Sequence, residues 1–467
     1  IHQALDLLGH AAAQAPGEKM IQADFANALR LAGRKDEAFR ILERVLAQDP
    51  HFAPARERRG YIHWEQEKRE AALADFQAVL RHQPGRADLG FFCGTILDDL
   101  GRPQEALAAY DQVLAHQPRH VDALNSRGWG RLQLGRFEAG LSDLTKATLL
   151  APQFPGARLN LAHYRLLHGD FERGLPLYEA RKEMPGQAFV RLFQQPQWDG
   201  KEDLAGKRLL VHAEQGLGDT IQFCRYLALL QDTGAEIHFA LPASLHRLMA
   251  GAGFAVTITE APRQGFDCQI PLMSLPLALG TRLATIPSSP RYLAAEPARA
   301  VRWRQRLGSH GFRIGICWHG RYEARARDKC FSPAALAPVA RLPGLRLVSL
   351  QIGEALGELA GAGIPVEVFE DLDAGTDAFL DTAAVMANCD LVISADSAPA
   401  HLAGALGVPA WIALKHVPDW RWFMGRSDSP WYPSLRLFRQ PATDDWGSVF
   451  RAMEDALISR PLTSYKS

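Results

Sequence analysis

Residues 390–414 read DLVISADSAPAHLAGALGVPAWIAL, and this stretch decides the fold. Leu391-Val392-Ile393 is the β-branched apolar run of a strand buried on both faces. Ser394-Ala395-Asp396-Ser397 then supplies helix N-cap chemistry. The helix that follows carries Ala400, Ala403, Gly404 and Ala405, small enough to lie close on a sheet. Gly407-Val408-Pro409 ends it, and Ala410–Leu414 begins another strand. The unit is a strand–loop–helix–strand piece of a parallel sheet. Asp396, Ser397 and His401 are thereby expected at a strand's carboxyl end, over a helix N-terminus, where open α/β sheets bind ligands and anions are favoured.

A second stretch has the same grammar. Lys207–His212 (KRLLVH) reads as a strand, Ala213–Asp219 (AEQGLGD) as a glycine-bearing turn, and Thr220–Gln231 as a helix. Gly216 and Gly218 let backbone N–H groups approach a ligand, and Asp219 sets a carboxylate at the helix start. A Gly-x-Gly turn alone is also what any tight βα connection uses, so its weight comes from the pairing with Asp396. Further alternation follows. Strands are expected at Glu236–Leu241, Val256–Thr259, Phe266–Ile270, Arg313–Trp318 and Leu345–Gln351, and helices at Ala243–Ala250, Leu336–Leu342 and Asp377–Ala387. A proline-rich connector, Ile286–Pro297, separates two modules that read as doubly wound domains facing a cleft.

The first 185 residues follow a different rule, a 34-residue period. Prolines recur at Pro16, Pro50, Pro84, Pro118 and Pro152. A small column runs Ala26, Gly60, Gly94, Gly128, Ala162, and a bulky one Leu42, Phe76, Tyr110, Leu144, Tyr178. Gly33, Gly101, Gly135 and Gly169 mark a turn, with Glu67 as the substitution. These columns resemble the tetratricopeptide repeat, a helical hairpin in which small residues permit close crossing and large ones fill the gap. Stacked repeats imply a solenoid whose groove recruits a protein segment, or else a plain spacer. Residues 1–14 fall in the second-helix register, so the first helix of that repeat is expected upstream of Ile1; a leader there is compatible with a chain that does not open on Met.

Composition narrows the classes. Of 467 residues 47% are hydrophobic and 22% charged, with 52 Lys+Arg against 52 Asp+Glu, which offers no global attraction to nucleic acid or anionic membranes. No apolar run approaches the ~20 residues of a membrane helix. Six scattered cysteines without a CxxC pair suit reduced thiols and a cytoplasmic location. Asp371-Leu372-Asp373 reads as a solvated loop rather than a metal-binding DxD, and no metal or other cofactor is expected.

HAEQGLGD at 212–219 together with SADSAPAH at 394–401 resembles the bacterial heptosyltransferase group, glycosyltransferases of the twin-Rossmann GT-B architecture. PDWRW at 418–422, SPWYP at 429–433 and RLFRQ at 436–440 look like those members fused to tetratricopeptide repeats, some of which glycosylate proteins such as flagellin. The resemblance implies Asp219 as general base and a donor-binding set of Gly216, Gly218, Asp396, Ser397, Ala398 and His401. Lys329 and Arg327, with Arg325, are the candidates for the diphosphate, and Gln215, Trp318, Gln351 and Trp420 for further substrate contacts. Ala398 departs from the glycine usual in that group.

The expected organisation is a solenoid over 1–185, a linker over 186–206, an acceptor-side Rossmann-like domain over 207–297 and a nucleotide-sugar domain over 298–467. The expected activity is metal-independent, inverting transfer from a nucleotide sugar to a hydroxyl of a protein held by the groove. Oligomers are compatible with the repeats. A scaffold with a degenerate sugar-nucleotide fold and an enzyme acting on a glycan or lipid-linked acceptor stay as alternatives.

Overall fold

The computed structural model describes residues 2–184, 193–259, 265–320 and 328–459. Two compact units divide the chain, Ile1–Asn160 and Leu161–Ser467.

In the first unit, helices of 12–14 residues alternate from His2–Gln14 to Phe137–Leu150. The two columns of the sequence meet as the repeat requires. A Cβ at Gly60 would fall 2.6 Å from Phe76, one at Gly128 2.9 Å from Leu144, and one at Gly94 would collide with Tyr110. Each small residue thus admits the bulky residue of the following helix. The turn column is left-handed throughout this unit: Gly33, Gly101 and Gly135 have φ of 82°, 70° and 73°, and Glu67 is held at 60°.

The second unit is α/β. Its strands are β1 (Arg208–His212), β2 (Glu236–Ala240), β3 (Thr257–Thr259), β4 (Cys268–Pro271), β5 (Phe312–Cys317), β6 (Leu345–Ser349), β7 (Val366–Glu367), β8 (Leu391–Ala395), β9 (Ala410–Leu414) and β10 (Leu435–Arg439). Among the described residues they form two parallel sheets, ordered β3-β2-β1-β4 and β10-β9-β8-β5-β6-β7. The second is the doubly wound order whose switch point lies between β5 and β8. Ile314, Ile316, Leu391, Ile393, Trp411 and Phe450 fill its core.

Three expectations change. The compact units part at 160/161 rather than at 185, because Phe171, Tyr178 and Arg181 belong to the α/β core. Tyr178 packs edge-on against Trp420 at 5.6 Å, and Arg181, 2% exposed, donates to both oxygens of Glu214 at 3.0 and 2.7 Å. The described part of the 186–206 linker is fastened too. Trp198 is buried and its backbone N–H donates to Gln269 O at 2.9 Å. Finally, the helix expected at Thr220–Gln231 starts at Leu217 and breaks at Cys224 into a 3-10 turn, so Asp219 lies inside its first turn.

The left-handed Glu67 gives a stability test. A non-glycine residue pays about 1–2 kcal/mol there, so Glu67→Gly should stabilise the solenoid by about 1 kcal/mol and Gly101→Ala should weaken it comparably. Urea unfolding followed by far-UV circular dichroism measures both; an unchanged Glu67→Gly midpoint contradicts the expectation.

Candidate active site

The carboxyl ends of β1, β5, β6, β8 and β9 converge on one cavity of about 730 Å³. Of the residues singled out in the sequence, Gly216, Gly218, Asp219, Lys329, Gln351, Asp396, Ser397, Ala398 and His401 line it. The loops around Asp219 and Asp396, far apart in the chain, therefore share one space.

Asp219 is the third residue of the helix Leu217–Phe223. Its Oδ2 accepts the Gly216 N–H at 2.9 Å, which closes the first turn. Its Oδ1 accepts from Arg421 Nη2 at 2.6 Å. Arg421 stands on the 3-10 turn Trp420–Trp422 after β9, so the pair joins the first α/β half to the second. Burial pushes the Asp219 carboxyl above its usual range, against the opposing pull of Arg421 and the Gly216 N–H.

From that pair a row of alternating charges runs across the cavity. Arg421 Nη1 donates to Asp419 Oδ1 at 2.8 Å, Asp419 Oδ2 lies 3.6 Å from Lys329 Nζ, and Lys329 lies 3.3 Å from Asp396 Oδ2. Burial disfavours the Asp419 charge, but Arg421 and Lys329 outweigh it and hold that carboxyl well below the usual range. The Asp396 charge, against the cost of burial, raises Lys329 above an ordinary lysine. Asp396 Oδ1 accepts the Trp422 indole N–H at 2.7 Å, so this carboxylate is oriented as well as paired.

Ser397 is the N-cap of the helix Ala398–Leu406 and its side chain does not cap it. Instead its Oγ lies 3.2 Å from Ser394 Oγ and donates to Ala395 O at 3.3 Å. The helix end is thus left facing the cavity, with Pro399 at the position that needs no N–H. Ala398 and Gly218 are matched: a Cβ at 218 would lie 3.1 Å from Ala398 Cα.

The other residues singled out in the sequence differ in how far they reach the cavity. His401 touches the cavity but is a packed ring: Nδ1 is 3.0 Å from Tyr432 OH, and the ring stacks on Trp422 at 5.2 Å. It packs on the indole whose N–H is bonded to Asp396. Gln351 spends its Oε1 on the His319 N–H at 2.9 Å. Trp318 is fully buried in the second sheet's core, and Trp420 lies among Phe171, Tyr178, Phe223 and Trp431, so neither reaches the cavity. Gln215 is exposed, with φ of 60°, and lies outside the lining. Arg325 and Arg327 lie outside the described residues. Sequence reasoning missed Asp419 and Arg421, although the acid-x-Arg spacing in PDWRW carries the signal: one residue between them lets the Asp cap the turn and clamp the guanidinium.

Comparison with known proteins agrees with this layout. A tetratricopeptide-repeat family model matches residues 3–88 and 94–139, and the glycosyltransferase family 9 (heptosyltransferase) model matches 374–414, the β8–β9 segment. Protein FlbA of Caulobacter vibrioides is 30% identical over 428 residues, 83% of this chain and 70% of that protein. The chain belongs to the FlbA family. It joins tetratricopeptide repeats to a glycosyltransferase-like α/β region. Solved structures with similarity include YrrB, described as a TPR protein with an unusual peptide-binding site (20% identity, 40% of this chain, 96% of that one, TM-score 0.36). MamA from Desulfovibrio magneticus is 18% identical (36% and 99%, TM-score 0.33), and the type IV pilus biogenesis factor PilW 25% (36% and 79%, TM-score 0.31).

The burial of His401 has a measurable consequence. Desolvation pushes its imidazole down to about 3, so the folded protein keeps it neutral while the unfolded chain protonates it near 6.5. Between those values the unfolded state binds the extra proton, and stability falls as pH falls, by up to about 1.4 kcal/mol per pH unit from this group. His401→Gln should flatten the slope of unfolding free energy between pH 6.5 and 5; an identical slope contradicts it.

Proposed function

We propose that the α/β region transfers a glycosyl group from a nucleoside-diphosphate sugar to an acceptor hydroxyl, with Asp219 as general base. The observation that carries this reading is the convergence of Asp219, Arg421, Asp419, Lys329 and Asp396 on one cavity at the carboxyl ends of two parallel sheets. In the reaction the acceptor oxygen bonds to the anomeric carbon while its proton passes to Asp219. The bond from that carbon to the diphosphate oxygen breaks, and the electron pair leaves with the diphosphate. Lys329 and the helix end at Ser397–Ala398 offset the leaving charge. Asp396, a carboxylate, repels a diphosphate; its place is to hold Lys329 and accept a sugar hydroxyl. A single base on the acceptor side corresponds to inversion. No step calls on a metal. The repeats supply the surface on which a protein acceptor is recruited, and the free cysteines suit the cytoplasm.

Asp219→Asn should lower turnover about 10²–10⁴-fold and leave affinity for the donor within a few-fold. The donor is found by incubating the chain with UDP-, GDP-, CDP- and dTDP-sugars and scoring glycosyl transfer or hydrolysis by mass spectrometry. Undiminished turnover in Asp219→Asn removes the base assignment.

A second reading rests on one feature: among the described residues, the cavity cations Arg421 and Lys329 are both matched by carboxylates of the site itself. A scaffold retaining a sugar-nucleotide fold needs no more. Thermal unfolding with millimolar UDP, GDP, CDP and ADP separates the two. Stabilisation by one of them, lost in Lys329→Met, is expected of the enzyme; none from any is expected of the scaffold.

A further inference from the structure

We infer that Arg421 is a positioning residue for Asp219, supplied by the second α/β half to fix the carboxylate of the first in one orientation. This rests on the proposed glycosyl transfer and adds to it a residue that completes the base across the cleft.

The geometry is specific. Arg421 Nη2 meets Asp219 Oδ1 at 2.6 Å while the Gly216 N–H meets Oδ2 at 2.9 Å, so both oxygens are fixed from different elements. The arginine is itself immobilised. Asp419 accepts from its Nη1 at 2.8 Å and from its backbone N–H at 3.1 Å. The Trp420 and Phe223 rings lie 4.8 and 5.6 Å from its guanidinium carbon. Only 7% of the residue is exposed. Swinging this buried group onto a diphosphate would strip two half-buried carboxylates of their closest cation, whereas Lys329, whose side chain is 33% exposed, is the more accessible cation. The planar fork meets its two carboxylates through separate nitrogens at 2.6 and 2.8 Å, a tighter grip than the single ammonium of Lys329 has on its own pair at 3.3 and 3.6 Å.

The charge consequences follow from what surrounds Asp219. Asp419 and Glu214 face it with like charge, Tyr178 and the neutral His401 add none, and Lys329 sits beyond Asp419. Among the described residues, Arg421 is the cation in contact. Its removal leaves burial and two carboxylates to oppose ionisation, so Asp219 must hold its proton to higher pH.

The test uses the full chain labelled with ¹³C-carboxyl aspartate, the Asp219 resonance being the one absent from Asp219→Asn. In Arg421→Gln the Asp219 midpoint should rise by about one pH unit or more, and in Arg421→Lys by less. Stabilisation by UDP, GDP or CDP, whichever wild type shows, should persist in both. An unmoved Asp219 midpoint overturns the inference, and so does loss of the diphosphate effect in both variants without movement of Asp219, which would make Arg421 a phosphate ligand. If Arg421→Gln does not fold, Arg421→Lys decides by the same criterion. The readout needs no turnover. A raised midpoint beside a fully active Asp219→Asn sinks the base and spares Arg421 as its partner, whereas an unmoved midpoint beside an inactive Asp219→Asn sinks only Arg421.

Discussion

The site exists because two helices, Leu217–Phe223 and Ala398–Leu406, meet near their N-terminal ends at van der Waals distance. A side chain at 218 would place its Cβ 3.1 Å from Ala398 Cα and 3.3 Å from both Ala398 Cβ and His401 Cδ2. A Cβ there would be tighter than ordinary contacts, so the second helix would have to give by a few tenths of an ångström. With glycine, Asp219 in one first turn and Asp396 just ahead of the other helix face the same cavity. The alanine at 398, which departs from the glycine of the heptosyltransferase pattern, is accommodated by this contact.

Bringing carboxylates together in a partly dry space is expensive, and the alternating order of charges answers that cost. Asp219, Arg421, Asp419, Lys329 and Asp396 each have an opposite charge beside them. Breaking a buried pair by removing one member typically costs about 3–5 kcal/mol, because the remaining charge is stranded. The row also leaves one more acid than base among its five members. In the transfer we propose, a diphosphate is therefore met at Lys329 and the helix end, not across the whole wall.

The halves of the α/β region are held together independently of that row. Arg225, 2% exposed, lies against Tyr292, Trp431 and Tyr432 at 4.8, 5.5 and 4.3 Å, and donates to the carbonyls of Gln222, Pro287 and Trp431. It joins the first half, the connector and the second half through carbonyls and ring faces, which stay attractive to a cation at any pH in the working range. Two tryptophans of the C-terminal region serve the same end. Trp420 and Trp431, 6.1 Å apart, form with Phe171, Tyr178 and Phe223 a core that absorbs the helix Phe171–Tyr178.

The repeat, the parallel α/β character and both cavity-facing loops are legible in the chain alone. Each is written in local chemistry: a 34-residue spacing, β-branched runs, and glycine or capping residues where strand gives way to helix. β10 escaped it because Arg436 and Arg439 interrupt the apolar run of an edge strand whose Leu435, Leu437 and Phe438 are buried. What only the tertiary structure decided is which polar residues touch. Asp219 and Arg421 are 202 positions apart, and their 2.6 Å contact depends on two sheets being docked through Gly218, Ala398 and Arg225. Spacing along a chain fixes faces and turns; it carries no information about a partner whose distance is set by how two separate cores pack.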